Sequence, residues 1–174
     1  MPRMLTLATI PTPIGAMLLA VDPDGFLRAA DFADREARLV TLLARYLGAD
    51  GVSLSPGPAP AALDTALRRY FAGAIGAIDA IAVESGGTPF QQSLWRALRT
   101  LPPGAPLAYG RMAERLGRPQ AARAVGHANG ANPFCVVVPC HRLVGADGAL
   151  TGYSGGTERK RWLLAHEARH APRD

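Results

Sequence analysis

The chain has 174 residues, 48% of them hydrophobic and 19% charged, and a formal net charge of +5. It is long enough to bury a substantial core, and no apolar run approaches the roughly 20 residues of a membrane-spanning helix. The N-terminus lacks the pattern of a signal peptide, so we expect a cytoplasmic protein. Residues 1–86 carry seven Arg and nine acidic residues, whereas residues 87–174 carry eleven Arg, one Lys and five acidic residues. The basic second half indicates a polyanionic partner.

The first half of the sequence predicts a small antiparallel sheet with helices. Short apolar runs separated by turn residues predict strands at 4–10, 16–21 and 26–32. Leucines at spacing four predict a helix that begins at the N-cap Asp34 and stops at Gly48. A second amphipathic helix follows a predicted loop at 53–60, and "AIDAIAV" at 77–83 is a candidate returning strand.

The stretch "ESGG" at 84–87 is the best candidate linker. We therefore expect an accessory α/β domain at 1–85 and a second, mainly helical domain at 86–174. "TPFQ", directly after the linker, has the residues of a helix-capping box.

Two short helices are predicted in the basic half, at about 109–116 and 119–129. Gly117 ends the first helix and Pro119 begins the second, so the pair fits a helix-turn-helix motif. The same pattern also fits two helices that simply pack together.

The most chemically suggestive stretch is "VVVPCHRLVG" at 136–145, where an apolar and apparently buried strand runs into Pro139. His141 and Arg142 follow Cys140 directly, and cationic neighbours lower the pKa of a thiol and so favour the nucleophilic thiolate. Cys135 lies between apolar residues and fits a small buried side chain. The odd spacing of the two cysteines on one extended segment argues against a disulfide. Two thiols alone fall short of the usual ligand count of a zinc site, and free thiols fit a reducing compartment.

An imidazole that activates a thiol needs a carboxylate to orient it. Asp147 lies in a turn and Glu158 opens a helix, whereas Glu167 follows the apolar "WLLA" and could reach inward. A Cys140–His141–Glu167 triad is therefore plausible, with a water between thiol and imidazole because adjacent side chains diverge.

"NPFCVVVPCHRLVG" and "GALTGYSGGTERKRWLLAHE" resemble the active-site segment of the O6-alkylguanine-DNA alkyltransferases, the methylated-DNA–protein-cysteine methyltransferases of DNA repair. "TPFQQSLWRAL", "LAYGRMAERLG" and "AARAVGHANGANP" extend the resemblance from Thr88 to Glu167. The first 85 residues are similar to that family only in layout.

The resemblance implies that Cys140 accepts the alkyl group from O6 of guanine, and possibly from O4 of thymine, in one irreversible turnover. His141 would form the thiolate through a water, Glu167 would hold the imidazole, and Asn132 would brace the active-site turn. Tyr109 would help to rotate the target nucleotide and assist as the guanine leaves.

The resemblance also implies which residues contact DNA. Arg123 would enter the duplex and fill the space of the extruded base. The other residues of the implied DNA-contacting set are Tyr109, Ala122, Gly126 and Arg142. The implied wall of the base pocket consists of Tyr153, Ser154, Gly155, Leu143 and Lys160.

No cofactor is implied, because the acceptor is the protein itself, and the expected state is a monomer on double-stranded DNA. Some relatives bind zinc in the N-terminal domain through Cys and His, but residues 1–126 contain neither. Gly130 and Ala131 stand where family members often carry a basic residue, so one phosphate contact is expected to be missing. His127 stands at an often small or polar position, and we expect it at the surface or at the DNA edge.

Three classes of function fit parts of the sequence. The first is an alkyl acceptor that acts once. The second is an alkyltransferase-like lesion binder, but those proteins replace the acceptor cysteine, and Cys140 is present. The third is a Cys–His hydrolase or a helix-turn-helix regulator. A hydrolase normally takes its His from a distant segment, and a regulator has no use for Pro-Cys-His-Arg. The sequence favours the first class.

Overall fold

The structure, a computed structural model, describes residues 2–48 and 51–172. The chain forms two compact units. The first comprises Met1–Gly87 and Pro133–Val137, and the second comprises Thr88–Asn132 and Val138–Asp174. Within the described ranges, no helix has both the length and the apolar character needed to cross a membrane.

A four-stranded sheet forms the centre of the first unit. Its strands are β1 (Arg3–Ile10), β2 (Met17–Val21), β3 (Leu27–Phe32) and β4 (Val52–Pro56), in the order β3-β2-β1-β4. The pairs β1–β2 and β2–β3 are antiparallel, as expected, whereas β4 lies parallel to β1. The predicted loop at 53–60 is wrong for its first residues, because Val52 and Leu54 pack against the core from β4.

Two helices accompany this sheet, α1 (Glu36–Leu47) and α2 (Ala61–Phe71). Leu39 and Leu43 of α1 pack on the sheet, and the predicted stop at Gly48 is confirmed, with φ +92°. Asp34 is not the N-cap, because it lies inside a short 3₁₀ helix that precedes α1.

The predicted strand at 77–83 is wrong for most of its length, because residues Ile75–Ala80 form a 3₁₀ helix. Its last residue, Val83, forms a parallel bridge with Leu27 of β3. Ile75 and Ile78 are three residues apart, so a 3₁₀ helix buries both on one face, whereas a strand would direct them to opposite faces.

The outer edge of β3 is paired with a segment from late in the chain. Ala30 N donates to Pro133 O (2.8 Å), and Cys135 N donates to Ala30 O (3.0 Å). This parallel bridge places Pro133–Val137 in the first unit, directly before the Pro-Cys-His-Arg sequence.

The second unit is mainly helical. Its helices are α3 (Pro89–Thr100), α4 (Tyr109–Arg115), α5 (Ala122–Gly130) and α6 (Thr157–His170), and two short strands, β5 (Leu107–Ala108) and β6 (Leu143–Val144), pair in parallel. The predicted capping box is confirmed: Gln91 N donates to Thr88 Oγ1 (3.1 Å), and Thr88 N donates to Gln91 Oε1 (2.9 Å). Gly117, with φ +73°, lies in the turn between α4 and α5. The predicted start of the second helix at Pro119 is wrong, because α5 begins at Ala122.

Candidate active site

Residues 136–140 form two tight turns rather than the predicted strand. Val137 N donates to Cys135 O (2.9 Å) around Val136, whose φ is +71°. Cys140 N donates to Val138 O (2.7 Å) around Pro139, with φ −79° and ψ 67°. These are γ-turns of opposite hand, and the one with positive φ is rare and strained for a β-branched residue. The sharp reversals bring Cys140 into a short 3₁₀ helix, where it is buried.

Two asparagine side chains hold the main chain on either side of this turn. Asn132 Nδ2 donates to Val138 O (2.9 Å), and Asn129 Nδ2 donates to Cys140 O (3.2 Å). Both asparagines are buried. Asn132 was predicted from the sequence and Asn129 was not. Asn129 is the penultimate residue of α5, and Asn132 lies two residues beyond the end of that helix.

His141, Glu167 and Arg142 form a buried cluster. His141 Nε2 lies 2.8 Å from Glu167 Oε1, and Arg142 donates from Nε to Oε2 and from Nη2 to Oε1, both at 2.9 Å. His141 and Glu167 are fully buried, and Arg142 is 3% exposed. The remaining ring nitrogen of His141, Nδ1, is buried and has no hydrogen-bond partner among the described residues.

The expected DNA contact of Arg142 is wrong. Its guanidinium is used inside the protein, since Nη1 also donates to Leu101 O (2.7 Å). A guanidinium that is 3% exposed is closed to a phosphate, and three of its five N–H donors are already used inside the protein.

Glu167 is held in its ionised form. Burial alone would raise the pKa of Glu167, but the charges and hydrogen bonds of His141 and Arg142 hold it well below its usual range. The carboxylate therefore accepts from His141 Nε2, and a neutral imidazole then carries its lone pair on Nδ1.

Lys160 is a buried cation on α6. Its ammonium donates to the carbonyls of Leu143 and Thr151, the latter at 3.0 Å. Burial lowers the pKa of Lys160, whereas the negative charge of a Cys140 thiolate would raise it. The ammonium therefore lies within electrostatic range of the Cys140 sulfur.

An open cavity of about 460 Å³ lies in the second unit, with a wall that includes Tyr109, Gly126, Tyr153 and Ser154. Tyr109 Oη donates to Thr151 O at 3.3 Å. Burial raises the pKa of the Tyr109 phenol, and the charge of Cys140 raises it further.

Of the other residues implied for the pocket, Leu143 and Lys160 do not line this cavity and are connected to it through Thr151. Gly155 is buried and its carbonyl accepts from Arg159 Nη1 at 3.2 Å.

The residues implied for DNA contact, Arg142 excepted, lie on or beside α5. Ala122 and Arg123 begin this helix, and Arg123 is exposed. Gly126 follows one turn later in the cavity wall, beside Tyr109. His127 is also exposed. Over the described ranges, no cluster of three or more His, Cys, Asp or Glu is arranged to hold a metal ion.

The sequence and the fold are both similar to those of known proteins. The family model for the DNA-binding domain of 6-O-methylguanine DNA methyltransferase matches residues 89–169. The methylated-DNA–protein-cysteine methyltransferase of Shigella flexneri is 47% identical over 158 residues, covering 91% of this chain and 92% of the relative. That of Mycolicibacterium paratuberculosis is 55% identical over 106 residues, covering 61% and 64%.

Among solved structures, the Mycobacterium tuberculosis OGT in complex with DNA has a TM-score of 0.79 and 38% identity, covering 96% of this chain and 95% of that one. The chain belongs to the family of methylated-DNA–protein-cysteine methyltransferases. The family predicted from the sequence is confirmed, and so is the mixed α/β fold.

Proposed function

We propose that this protein repairs DNA directly by moving an alkyl group, typically methyl, from O6 of guanine to Cys140 in one irreversible turnover. The observation that carries the proposal is the buried Cys140 beside a His141–Glu167 pair whose free imidazole nitrogen is Nδ1. This arrangement, next to a cavity with an aromatic wall, suits a thiolate nucleophile and a planar substrate.

His141 is the proposed base. With Nε2 bonded to the ionised Glu167, Nδ1 is the basic nitrogen, and it takes the Cys140 proton through one water. The imidazolium that forms is stabilised by the Glu167 carboxylate. Lys160 adds a second positive charge near the sulfur, which favours the thiolate over the thiol.

The transfer itself is an in-line displacement. A sulfur lone pair forms the new S–C bond while the C–O6 bond breaks, and the electrons of that bond remain on the guanine. Because burial keeps the Tyr109 phenol protonated, it can donate to the leaving guanine at N3 and neutralise the developing charge. Cys140 ends as a thioether and cannot act again, so no cofactor is required.

The target base must leave the helix to meet Cys140, since O6 of guanine is stacked inside the duplex. We propose that α4 and α5 act as a helix-turn-helix on DNA, with Arg123 entering the duplex to replace the extruded base. Extrusion costs a few kcal/mol, which such an insertion offsets. The small residues Ala122 and Gly126 let α5 approach the groove closely.

Residues 86–174 are thus the proposed DNA-binding and acceptor domain, and residues 1–85 the proposed accessory domain. The proposed oligomeric state is a monomer. The proposed compartment is the cytoplasm, since both cysteines are buried thiols that suit a reducing compartment. Alkylated thymine presents a similar alkoxy carbon at O4 and is a second candidate substrate.

The test uses a duplex with a single O6-methylguanine and peptide mapping by mass spectrometry. We expect one methyl group per protein on the peptide with Cys140, no transfer in Cys140→Ser, and full transfer in the matched control Cys135→Ser. A protein that binds the duplex but gains no methyl group would contradict the proposal and favour a lesion-binding role. A duplex with O4-methylthymine tests the second substrate in the same way.

A further inference from the structure

The helices α4 and α5 and the turn between them carry more arginine than the proposed chemistry uses. They contain four arginines and one acidic residue, Glu114. Arg111 forms an ion pair with Glu114 (3.0 Å), and Arg123 is the proposed insertion residue. The other two arginines, Arg115 and Arg118, are exposed. This excess of positive charge on the surface favours a polyanionic partner.

The side chain of Arg118 is held against an aromatic ring. Its guanidinium carbon lies 5.2 Å from the centre of the Phe90 ring, within the range of a cation–π contact. Phe90 is the second residue of α3 and is half-buried. The Arg118 side chain makes no hydrogen bond and no ion pair within the described ranges, so its five N–H donors are open to a ligand.

The main chain of Arg118 is also fixed. Its N–H donates to Ala113 O and its carbonyl accepts from Ala121 N, both at 2.9 Å. Pro119 follows directly and restricts the backbone of the residue before it. A long side chain normally loses rotamer freedom when it binds a ligand, and an arginine that is already held at both ends loses less of it.

The turn that contains Arg118 leads into the helix proposed to approach DNA. Arg118 precedes Ala122, the first residue of α5, by four residues. A helix that lies in a groove has a sugar-phosphate backbone on either side, so residues beside its N-terminal end face phosphates rather than base edges. The planar guanidinium presents pairs of donors that match two phosphate oxygens. The ligand that fits Arg118 is therefore a phosphodiester of double-stranded DNA.

We propose that Arg118, held in place by Phe90, is a preorganised phosphate-binding residue that positions α5 on double-stranded DNA. This inference rests on the proposed function, in which α4 and α5 bind the duplex. The contact carries no sequence information, which suits a protein that must inspect DNA of any sequence. Phe90 then contributes to DNA affinity through the arginine that it orients.

The experiment measures how duplex binding depends on salt. Fluorescence anisotropy gives the Kd of two undamaged duplexes of unrelated sequence between about 50 and 200 mM salt. Each phosphate contact contributes about 0.9 to the slope of log Kd against log salt concentration, so Arg118→Ala should lower that slope by about 0.9 with both duplexes. Binding at the lowest salt concentration should weaken about three- to tenfold. The matched control Arg69→Ala removes the same charge from an exposed position in the first unit and should leave the slope unchanged.

Two further variants separate the charge from its orientation. Arg118→Lys keeps the charge but not the planar fork, so it should restore the slope while binding remains weaker than in the unaltered protein. Phe90→Leu keeps an apolar side chain and removes the aromatic face. It should weaken binding about two- to threefold in the unaltered background and have no further effect in Arg118→Ala, where the group that the ring holds is gone.

Two results would overturn the inference: an Arg118→Ala slope equal to that of the unaltered protein, or an equal loss of affinity from Phe90→Leu with and without Arg118. A lower slope, together with an effect of Phe90→Leu that requires Arg118, would support it. The proposed function fails in a different way, since the unaltered protein would then transfer no methyl group from O6-methylguanine.

Discussion

Replacing Arg142 by Met should destabilise the protein strongly, although the side chain makes no surface contact. The guanidinium donates three hydrogen bonds, two to the Glu167 carboxylate and one to Leu101 O. Removing one partner of a buried ion pair typically costs about 3–5 kcal/mol, because the remaining charge stays buried without compensation. A domain of ordinary stability has about 5–15 kcal/mol in total, so the variant should fold but with a much smaller margin.

The same change should slow methyl transfer. Glu167 would keep only His141 as a partner, so its pKa would rise toward the usual carboxyl range and the imidazole would lose part of its orientation. Affinity for the duplex should change little, because the structure places Arg142 inside the protein.

Urea denaturation measures the effect, with Arg68→Met as the matched control. Arg68 pairs with Asp64 four residues earlier on an exposed helix face, where such a pair contributes about 0.3–0.5 kcal/mol. If Arg142→Met lowered the free energy of unfolding by less than about 1 kcal/mol, the argument from the buried ion pair would be refuted. A loss of DNA affinity without a loss of stability would restore the original expectation of a DNA contact.

Three further predictions follow from the described residues. Arg123→Ala should slow repair of a duplex by roughly tenfold or more and leave the rate with free O6-methylguanine unchanged. The control Arg69→Ala, at an exposed arginine, should slow neither reaction. Equal decreases in rate with both substrates would contradict the insertion role of Arg123. Gly104→Ala should lower the melting temperature more than Gly148→Ala does. Both glycines have φ near +80°, but only at Gly104 would the new Cβ meet another side chain, at 3.0 Å. Equal decreases in melting temperature would mean that backbone strain alone decides. Because the pKa of Glu167 is lowered on folding, its contribution to stability is present above the unfolded pKa of about 4.3 and is lost as the pH falls below it. The difference in the free energy of unfolding between the unaltered protein and Glu167→Gln should therefore shrink from about pH 6 to about pH 3, and a constant difference would refute the ion-pair account.

The elements that were predictable from the sequence have strong local signals. Strands β1, β2 and β3 are apolar runs separated by turn residues, and the capping box at Thr88 is a fixed pattern of side chains. The Pro-Cys-His-Arg sequence is likewise a local pattern, and it was enough to indicate the family.

The features that the sequence did not predict depend on distant parts of the chain. β4 is a short segment that becomes a strand only because the parallel edge of β1 receives it. The stretch 136–138 has ideal β-branched residues, but asparagine side chains and the edge of β3 override that preference and turn the chain twice.

The misassigned role of Arg142 has a similar origin. A basic residue in the basic half of the sequence suggests a contact with DNA. Only the fold shows that Arg142 forms an ion pair with Glu167, 25 residues later. Asn129 gave no comparable signal, because it lies in a run of small residues near the end of α5. Nothing in the sequence says that the main-chain carbonyl of Cys140 lies within its reach.

The pairing of Ala30 with Pro133 and Cys135 has a consequence for synthesis on the ribosome. The strand edge of the first unit is complete only after residues 88–132 have been made, which takes about 2–10 s at the usual rate of about 5–20 residues per second. During that interval the Leu27 end of β3 can already pair with residues 82–84, but the edge around Ala30 is still open, and an unpaired strand edge seeds aggregation. Arrival of Pro133 and Cys135 closes this edge, so the segment that covers β3 is continuous in sequence with the turn that leads to Cys140.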